Sequence, residues 1–432
     1  MASGALTSRL QIFALIAACG LVACSGQDGT TDSGADAAGD LAQADLGADR
    51  GSPDRGPDTR PHTLPANTTL QGIIVSAEGG APIAGALVQI GGRPERVTSD
   101  AQGRFTLTLS AELATLETAL TAGHPGFFSA GIQVIDASAE QRLTLNPHTR
   151  ADDPSYAFKS PDAIDGTPHC IHCHRNQVQP WSASAHAGAA QNPKLFDLYN
   201  GTASGFKDAA SCLAAGGQWL DGRAPGDAKA TPTKKCYLLN HPGVLKDLNP
   251  GVCGAAGQPS CDDPAAPSAA KPTAFGPCAD CHAAASAVAA PGKTNLNTLH
   301  GLTYDKGIHC DFCHKIDQVK TNGSPGINGA IVLRRPGPAD ASGWSDPEVM
   351  YGPLADVILS VMGNVYRPQF KQSSFCSGCH QWTPKGIRPG DAAMISASKW
   401  PEGLPVQDTF AEWLESDAAK SKGWSCQSCH MP

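Results

Sequence analysis

The chain has 432 residues, enough for two or three domains of ordinary size; its 41 % hydrophobic content is average, while 47 Gly and 34 Pro commit much of it to loops and turns. The formal net charge is -8, eight Asp fall between Asp28 and Asp58, and there is no basic stripe, which argues against nucleic acid as a partner. Sixteen Cys are far too many for a generic cytosolic protein, and their spacing carries the reading.

Residues 1–23 read as a signal peptide: a short start bearing Arg9 precedes an apolar run, Leu10 to Ala23, too short to span a bilayer as a helix. Leu21-Val22-Ala23-Cys24 resembles the lipobox of bacterial lipoproteins, and Ile16-Ala17-Ala18-Cys19 is a weaker second match. That resemblance implies cleavage before Cys24, acylation of its thiol and an outer-membrane lipid anchor. Ser25 in place of Asp at the next position points to the outer membrane, with the protein facing the periplasm or the cell surface. A buried structural Cys is the plain alternative at position 24. No other stretch is apolar enough to cross a membrane.

Residues 24–66 form a tether rich in Asp, Ala, Gly and Pro. It has almost no aliphatic bulk to bury and its carboxylates repel one another, so it is expected to be an extended, disordered spacer. Its recurrent Asp could suggest calcium, but the order that cages an ion is missing.

From 67 to 148 the pattern alternates. Thr69–Val75, Ala86–Ile90, Arg104–Leu109 and Gln141–Leu145 are short strands separated by Gly, Pro and Asp turns, which predicts a small antiparallel β-sandwich. Gly72, the segment Pro82-Ile83-Ala84-Gly85-Ala86, the hairpin Ser99–Phe105 and Gly126-Phe127 resemble the carboxypeptidase regulatory-like domain, a transthyretin-like sandwich. The resemblance implies a spacer or adhesion module without catalytic residues, and His124 and His148 are expected at surface or turn positions.

From 149 to 432 hydrophobic periodicity weakens while Cys and His become dense. Cys-x-x-Cys-His occurs five times: Cys170, Cys173, His174; Cys278, Cys281, His282; Cys310, Cys313, His314; Cys376, Cys379, His380; and Cys426, Cys429, His430. Two thiols at this spacing can add to the vinyl groups of a haem while the next imidazole reaches the iron. Zinc ribbons or thioredoxin-like sites are the rival, but neither needs a His after every second Cys. The repeated motif identifies the region as a pentahaem c-type cytochrome domain, mainly short α-helices and irregular chain, with haem c (five) as cofactor. Short helices are expected after each motif, across Leu354–Val365 and across Asp408–Ser416.

Trp181, Ser184, His186 and Ala187 resemble the WxxSxHA element of multihaem cytochromes of the c554/tetrahaem type, which implies that His186 ligates a haem held by a different motif. His300 and His241 are further candidate ligands. His169 and His309, each directly before a motif Cys, either ligate a neighbouring haem or hydrogen-bond a propionate; His172 sits inside its own motif. In relatives a His stands near the place of Met362, so either Met362 is an axial ligand, or it is core and one haem is five-coordinate. Cys212, Cys236, Cys253 and Cys261 lie in one insertion and read as two disulfides, most simply 212–236 and 253–261, with other pairings open. Glu412-Trp413 and Cys426-Gln427-Ser428-Cys429-His430-Met431-Pro432 resemble the EW…CQxCHMP element of the same proteins. Only Met431 and Pro432 follow His430, so the fifth haem is expected to be the most exposed, or the sequence to be truncated.

The expected function is extracytoplasmic electron transfer, with redox partner proteins such as other cytochromes or membrane oxidoreductases. The alternative is a multihaem oxidoreductase acting on a nitrogen or sulfur oxyanion at one open-faced haem. No Cys-x-x-Cys-Lys motif accompanies that alternative, and Arg334-Arg335 is the one arginine pair in the motif-bearing region.

Overall fold

Alternation of buried and more exposed residues, unbroken at Leu87–Ile90, Arg104–Thr108 and Gln141–Leu145, marks the strands of the first part of the molecule. The strands are β1 (Thr63–Leu64), β2 (Thr69–Ser76), β3 (Leu87–Ile90), β4 (Arg96–Thr98), β5 (Arg104–Thr108), β6 (Leu113–Ala114), β7 (Ala119–His124), β8 (Phe127–Gln133) and β9 (Gln141–Leu145). Successive side chains of a strand point to opposite faces, so Leu70 and Ile74 of β2, Phe105 and Leu107 of β5, and Leu143 and Leu145 of β9 all face inward. They meet Val88, Ile90 and Leu120 of the opposing sheet in one apolar cluster. Each such Leu or Ile contributes about 1.5–3 kcal/mol relative to exposure.

The computed structural model describes residues 63–114, 118–148, 151–162, 169–223, 233–238, 243–254, 257–337, 349–358, 362–383 and 405–431. The residues read as a signal peptide, Cys24, the expected tether up to residue 62, and His241 lie outside these residues. Arg60–Ser428 pack as one compact unit.

One sheet of the sandwich is ordered β5-β2-β9 and the other contains β8-β7-β3-β4. β2 pairs with β5 antiparallel but with β9 parallel, so the expected all-antiparallel arrangement holds only in part. Gly72 is required where β2 passes β9, because a Cβ there would stand 2.0 Å from the Gln141 carbonyl oxygen.

The second half is mixed: short helices, short strand pairs and irregular chain. β10 (Gly217–Gly222) and β11 (Thr233–Leu238) form a hairpin in the cysteine-bearing insertion, and β12 (Ile316–Val319) pairs with β13 (Ile331–Leu333) after the third motif. β14 (Val349–Gly352) and β15 (Gly363–Tyr366) pair in parallel, and β15 then joins β8 at Val365↔Phe128, extending the sandwich sheet to six strands.

Some expectations change: helices follow the first two motifs, at Arg175–Ser182 and Ala284–Ala287, but the strand β12 follows the third. Across Leu354–Val365 the described residues hold no helix, and Gly363–Tyr366 is a strand. A Cβ at Gly363 would lie 2.2 Å from the Phe128 ring, so this glycine lets the strand close on the sandwich. His148 is a buried residue, not a surface one, packed edge-on against Phe128 and Tyr351 where the two halves meet. His124 at the end of β7 is half-buried. The helix expected at Asp408–Ser416 spans Thr409–Glu415.

Candidate cofactor-attachment sites

Each Cys-x-x-Cys-His motif forms a single helical turn: Cys170–Cys173, Cys278–His282, Cys310–Cys313, Ser377–His380 directly after Cys376, and Cys426–His430. Residues three apart on a helix share a face, so both thiols of a motif present on one side with the His following them. None of the ten motif cysteines is in a disulfide. Thiols of different motifs come within hydrogen-bonding reach: Cys170 with Cys310, Cys281 with Cys379, and Cys376 with Cys426. Burial pushes the Cys278, Cys313 and Cys376 thiols up to about 12, and Cys379 and Cys376 add to the rise at Cys313. These thiols are therefore protonated near neutral pH.

Two motif histidines are oriented through Nδ1–H. His314 Nδ1 lies 2.6 Å from the Tyr351 carbonyl oxygen and His282 Nδ1 3.3 Å from that of Ala189. A carbonyl only accepts, so Nδ1 carries the proton and Nε2 keeps its lone pair. Burial lowers the pKa of both rings and keeps them neutral. His380 differs: its Nδ1 lies 3.3 Å from the Gln407 side-chain amide nitrogen, a donor, so Nδ1 accepts there. His174 and His430 are exposed.

Among the candidate partner ligands, His186 is brought to a motif: its ring stands edge-on to that of His380, with centroids 6.0 Å apart. His300 is exposed, and its Nδ1 is turned toward the Thr298 carbonyl at 3.0 Å, again leaving Nε2 bare. Met362 is half-buried immediately before β15. His309 is fully buried, and burial lowers its pKa to about 4. Its Nδ1 accepts from the Phe312 N–H at 3.3 Å, capping the third motif's helix, so the proton sits on Nε2, which has no partner. A protonated Nε2 is a donor, not a ligand. His169 is half-buried and His172 exposed.

Several residues at these sites gave no sequence signal beyond spacing. Asp311, inside the third motif, and Lys315 are both fully buried and joined at 2.6 Å; Tyr156 OH and the Lys159 N–H also donate to Asp311, at 3.0 and 2.8 Å. Their i,i+4 separation was the one available hint. Asp280, inside the second motif, accepts the Gly292 N–H with both oxygens, and burial raises its pKa to about 6. The Arg334-Arg335 pair is engaged in ion pairs: Arg335 with Asp152 at 2.5 Å and Arg334 with Asp317 at 3.0 Å.

The insertion is closed by Cys212–Cys236 and Cys253–Cys261. There Asp262 holds the Lys235 ammonium at 2.8 Å and accepts from Tyr237 OH. Among the described residues no three His, Cys, Asp or Glu converge so as to hold a bare metal ion, and no helix is long and apolar enough to cross a membrane.

No family model matches the chain, and no curated protein matches it. Among solved structures, two interface mutants of a type II cohesin–X-dockerin complex from Acetivibrio cellulolyticus align at 16 % identity over 32 % of this chain and 80 % of theirs, with TM-scores of 0.15 and 0.14. Scores that low say nothing about shared fold or function.

Proposed function

We propose that the chain is an extracytoplasmic electron-transfer protein whose five motifs each attach one haem c. The single observation that carries the reading is the convergence of the motifs: three thiol contacts join the first to the third, the second to the fourth and the fourth to the fifth, and Cys313 of the third lies near Cys376 and Cys379 of the fourth. Sites so closely joined suit passage of electrons along the chain better than isolated catalysis.

The donor set fits the group. Haem iron takes four ligands from its porphyrin and asks the protein for only one or two, so no cluster of three protein ligands is needed. His282 and His314 are neutral, with Nδ1–H held by a carbonyl and Nε2 available. Among the described candidate partner ligands, His186 stands against a motif imidazole, that of His380, with ring centroids 6.0 Å apart. His186 would therefore serve the fourth motif, where ligation by His380 Nε2 requires the Gln407 amide to turn its oxygen to Nδ1–H. The rival use of Cys-x-x-Cys, in thiol–disulfide catalysis, requires depressed thiol pKa values; those of Cys278, Cys313 and Cys376 are raised.

When bound, haem supplies one-electron redox chemistry at iron. The chain would supply attachment through the ten motif cysteines and ligation through His174, His282, His314, His380 and His430, with the second and third motifs half-buried around Ala279, Asp280, Asp311 and Phe312. In the same proposal Cys24 is acylated and holds the protein at the outer membrane, and residues 67–148 are a transthyretin-like domain of the carboxypeptidase regulatory-like kind. The oxyanion-reductase alternative gains nothing from Arg334 and Arg335, whose charges are already paired.

The test is the pyridine haemochrome spectrum and intact mass of the protein exported from a host with cytochrome c maturation. Five haems per chain, retained on denaturation, are expected; a colourless protein of polypeptide mass overturns the reading.

A further inference from the structure

The sandwich and the third motif are parts of one construction. His314 and Tyr351 are doubly joined: the Tyr351 N–H donates to the His314 carbonyl at 2.9 Å, and His314 Nδ1–H donates back to the Tyr351 carbonyl at 2.6 Å. The second of these is at the short end for N–H···O. It is also shorter than the 3.3 Å contact of His282 Nδ1 with Ala189.

Tyr351 lies in β14, which has no sheet of its own. It is paired to β15, and β15 is paired to β8 of the sandwich. Arg367, one residue beyond β15, ties the junction. Its N–H donates to the Gly352 carbonyl at 2.7 Å, and its guanidinium, 4.5 Å above the Tyr351 ring, donates to Asp317 and to the Pro125 carbonyl in the sandwich's β7–β8 turn. His148 Nε2–H donates to the same Pro125 carbonyl at 3.0 Å, with its ring between Phe128 and Tyr351.

We infer that the β-sandwich, acting through Arg367 and the Tyr351 carbonyl, positions His314 and sets the donor strength of its Nε2. This rests on the haem reading above. A tightly held acceptor at Nδ1–H makes an imidazole a stronger donor to a metal. That favours the ferric state and lowers the potential of the site relative to one whose histidine is more loosely held. Arg367 and Asp317 are positioning residues in this scheme, acting on His314 through Tyr351.

The test is spectroelectrochemical titration of the full-length, haem-loaded protein, with the third site's step identified as the one displaced in His314→Met. Arg367→Ala is expected to move that step upward and leave the other four in place, with altered low-spin ferric EPR g-values for one haem in five. If Arg367→Ala fails to load haem, Asp317→Asn, which keeps the shape and loosens the same guanidinium, is read instead, with a smaller shift in the same direction. A third-site step that stays fixed, or five steps that move together, overturns the inference. Failure of the haem reading is distinguishable, since the parent would then contain no haem to titrate.

Discussion

The buried pair inside the third motif yields the sharpest stability test. Lys315 and Asp311 are 0 % and 1 % exposed as side chains and 2.6 Å apart. The ammonium also meets the Met350 sulfur at 3.1 Å and lies over the Tyr156 ring at 5.3 Å. Lys315→Met keeps most of the volume but leaves Asp311 with only the Tyr156 hydroxyl and the Lys159 N–H for a charge out of reach of water. Stranding a buried partner in this way costs about 3–5 kcal/mol. The pH dependence carries a sign that cavity formation would not. In the parent, burial pushes the Asp311 carboxyl up, but the Lys315 charge and the hydrogen bonds outweigh it and hold the pKa below the ordinary value. A carboxylate with a depressed folded pKa adds stability above its unfolded pKa and loses it as pH falls through the folded one. Without Lys315 the burial effect is unopposed, the pKa rises above its unfolded value, and Asp311 then favours folding at low pH and loses that contribution as pH increases. The parent–variant gap, from guanidinium unfolding followed by tryptophan fluorescence, is therefore expected to be widest at pH 7 and to narrow towards pH 4. A gap under about 1 kcal/mol at pH 7, where 3–5 is expected, or one independent of pH, would refute the reasoning. Asp311→Asn with Lys315→Met is expected to recover most of the loss.

Three further outcomes follow from the geometry. Removing Cys212–Cys236 by paired Ser substitutions opens a loop of sequence separation 24 and is expected to cost about 3.5 kcal/mol, against about 2.6 for Cys253–Cys261 at separation 8, in the same unfolding assay. His186→Ala is expected to convert one haem in five to a high-spin ferric signal by EPR and leave the rest low-spin; five unchanged signals would break the His186–His380 assignment. Gly363→Val drives a side chain into the Phe128 ring and is expected to cost about 1–3 kcal/mol, read as a lowered midpoint of thermal unfolding.

The sandwich strands were legible because period-two alternation at Leu70, Ile74, Phe105, Leu107, Leu143 and Leu145 needs no tertiary information. The five motifs were visible as spacing alone, but the helical turn falls on each motif itself, and of the helices expected after them the third gives way to the strand Ile316–Val319. What stayed hidden depends on long-range contact. Gly363–Tyr366 reads locally as well for a helix as for a strand, and only the Phe128 ring across the sheet selects the strand. His148 looked like a turn residue because its burial comes from Tyr351, far along the chain. For His309 the sequence offered two roles, ligand or donor. The Phe312 N–H at its Nδ1 leaves the proton on Nε2 and favours the donor. His186 was recognisable as a ligand type, but its pairing with His380 requires the fold.

A module attached as a spacer should be removable without consequence for what it carries, and this sandwich does not meet that condition. β14 and β15 are four residues each and pair in parallel, an arrangement that is rarely stable without cover on its faces and edges. Their support is β8, together with Gly123 and Gly131, against which Ala355 and Ile358 pack so closely that a Cβ would stand within 2.9 Å of each. Asp356 accepts from the Gly92 N–H, and Asn364 donates to Ser129. Removing the sandwich strips every one of these contacts at once and frees the segment that holds the Tyr351 carbonyl against His314. The sandwich is therefore better understood as an outer wall of the third motif's site than as a length of tether.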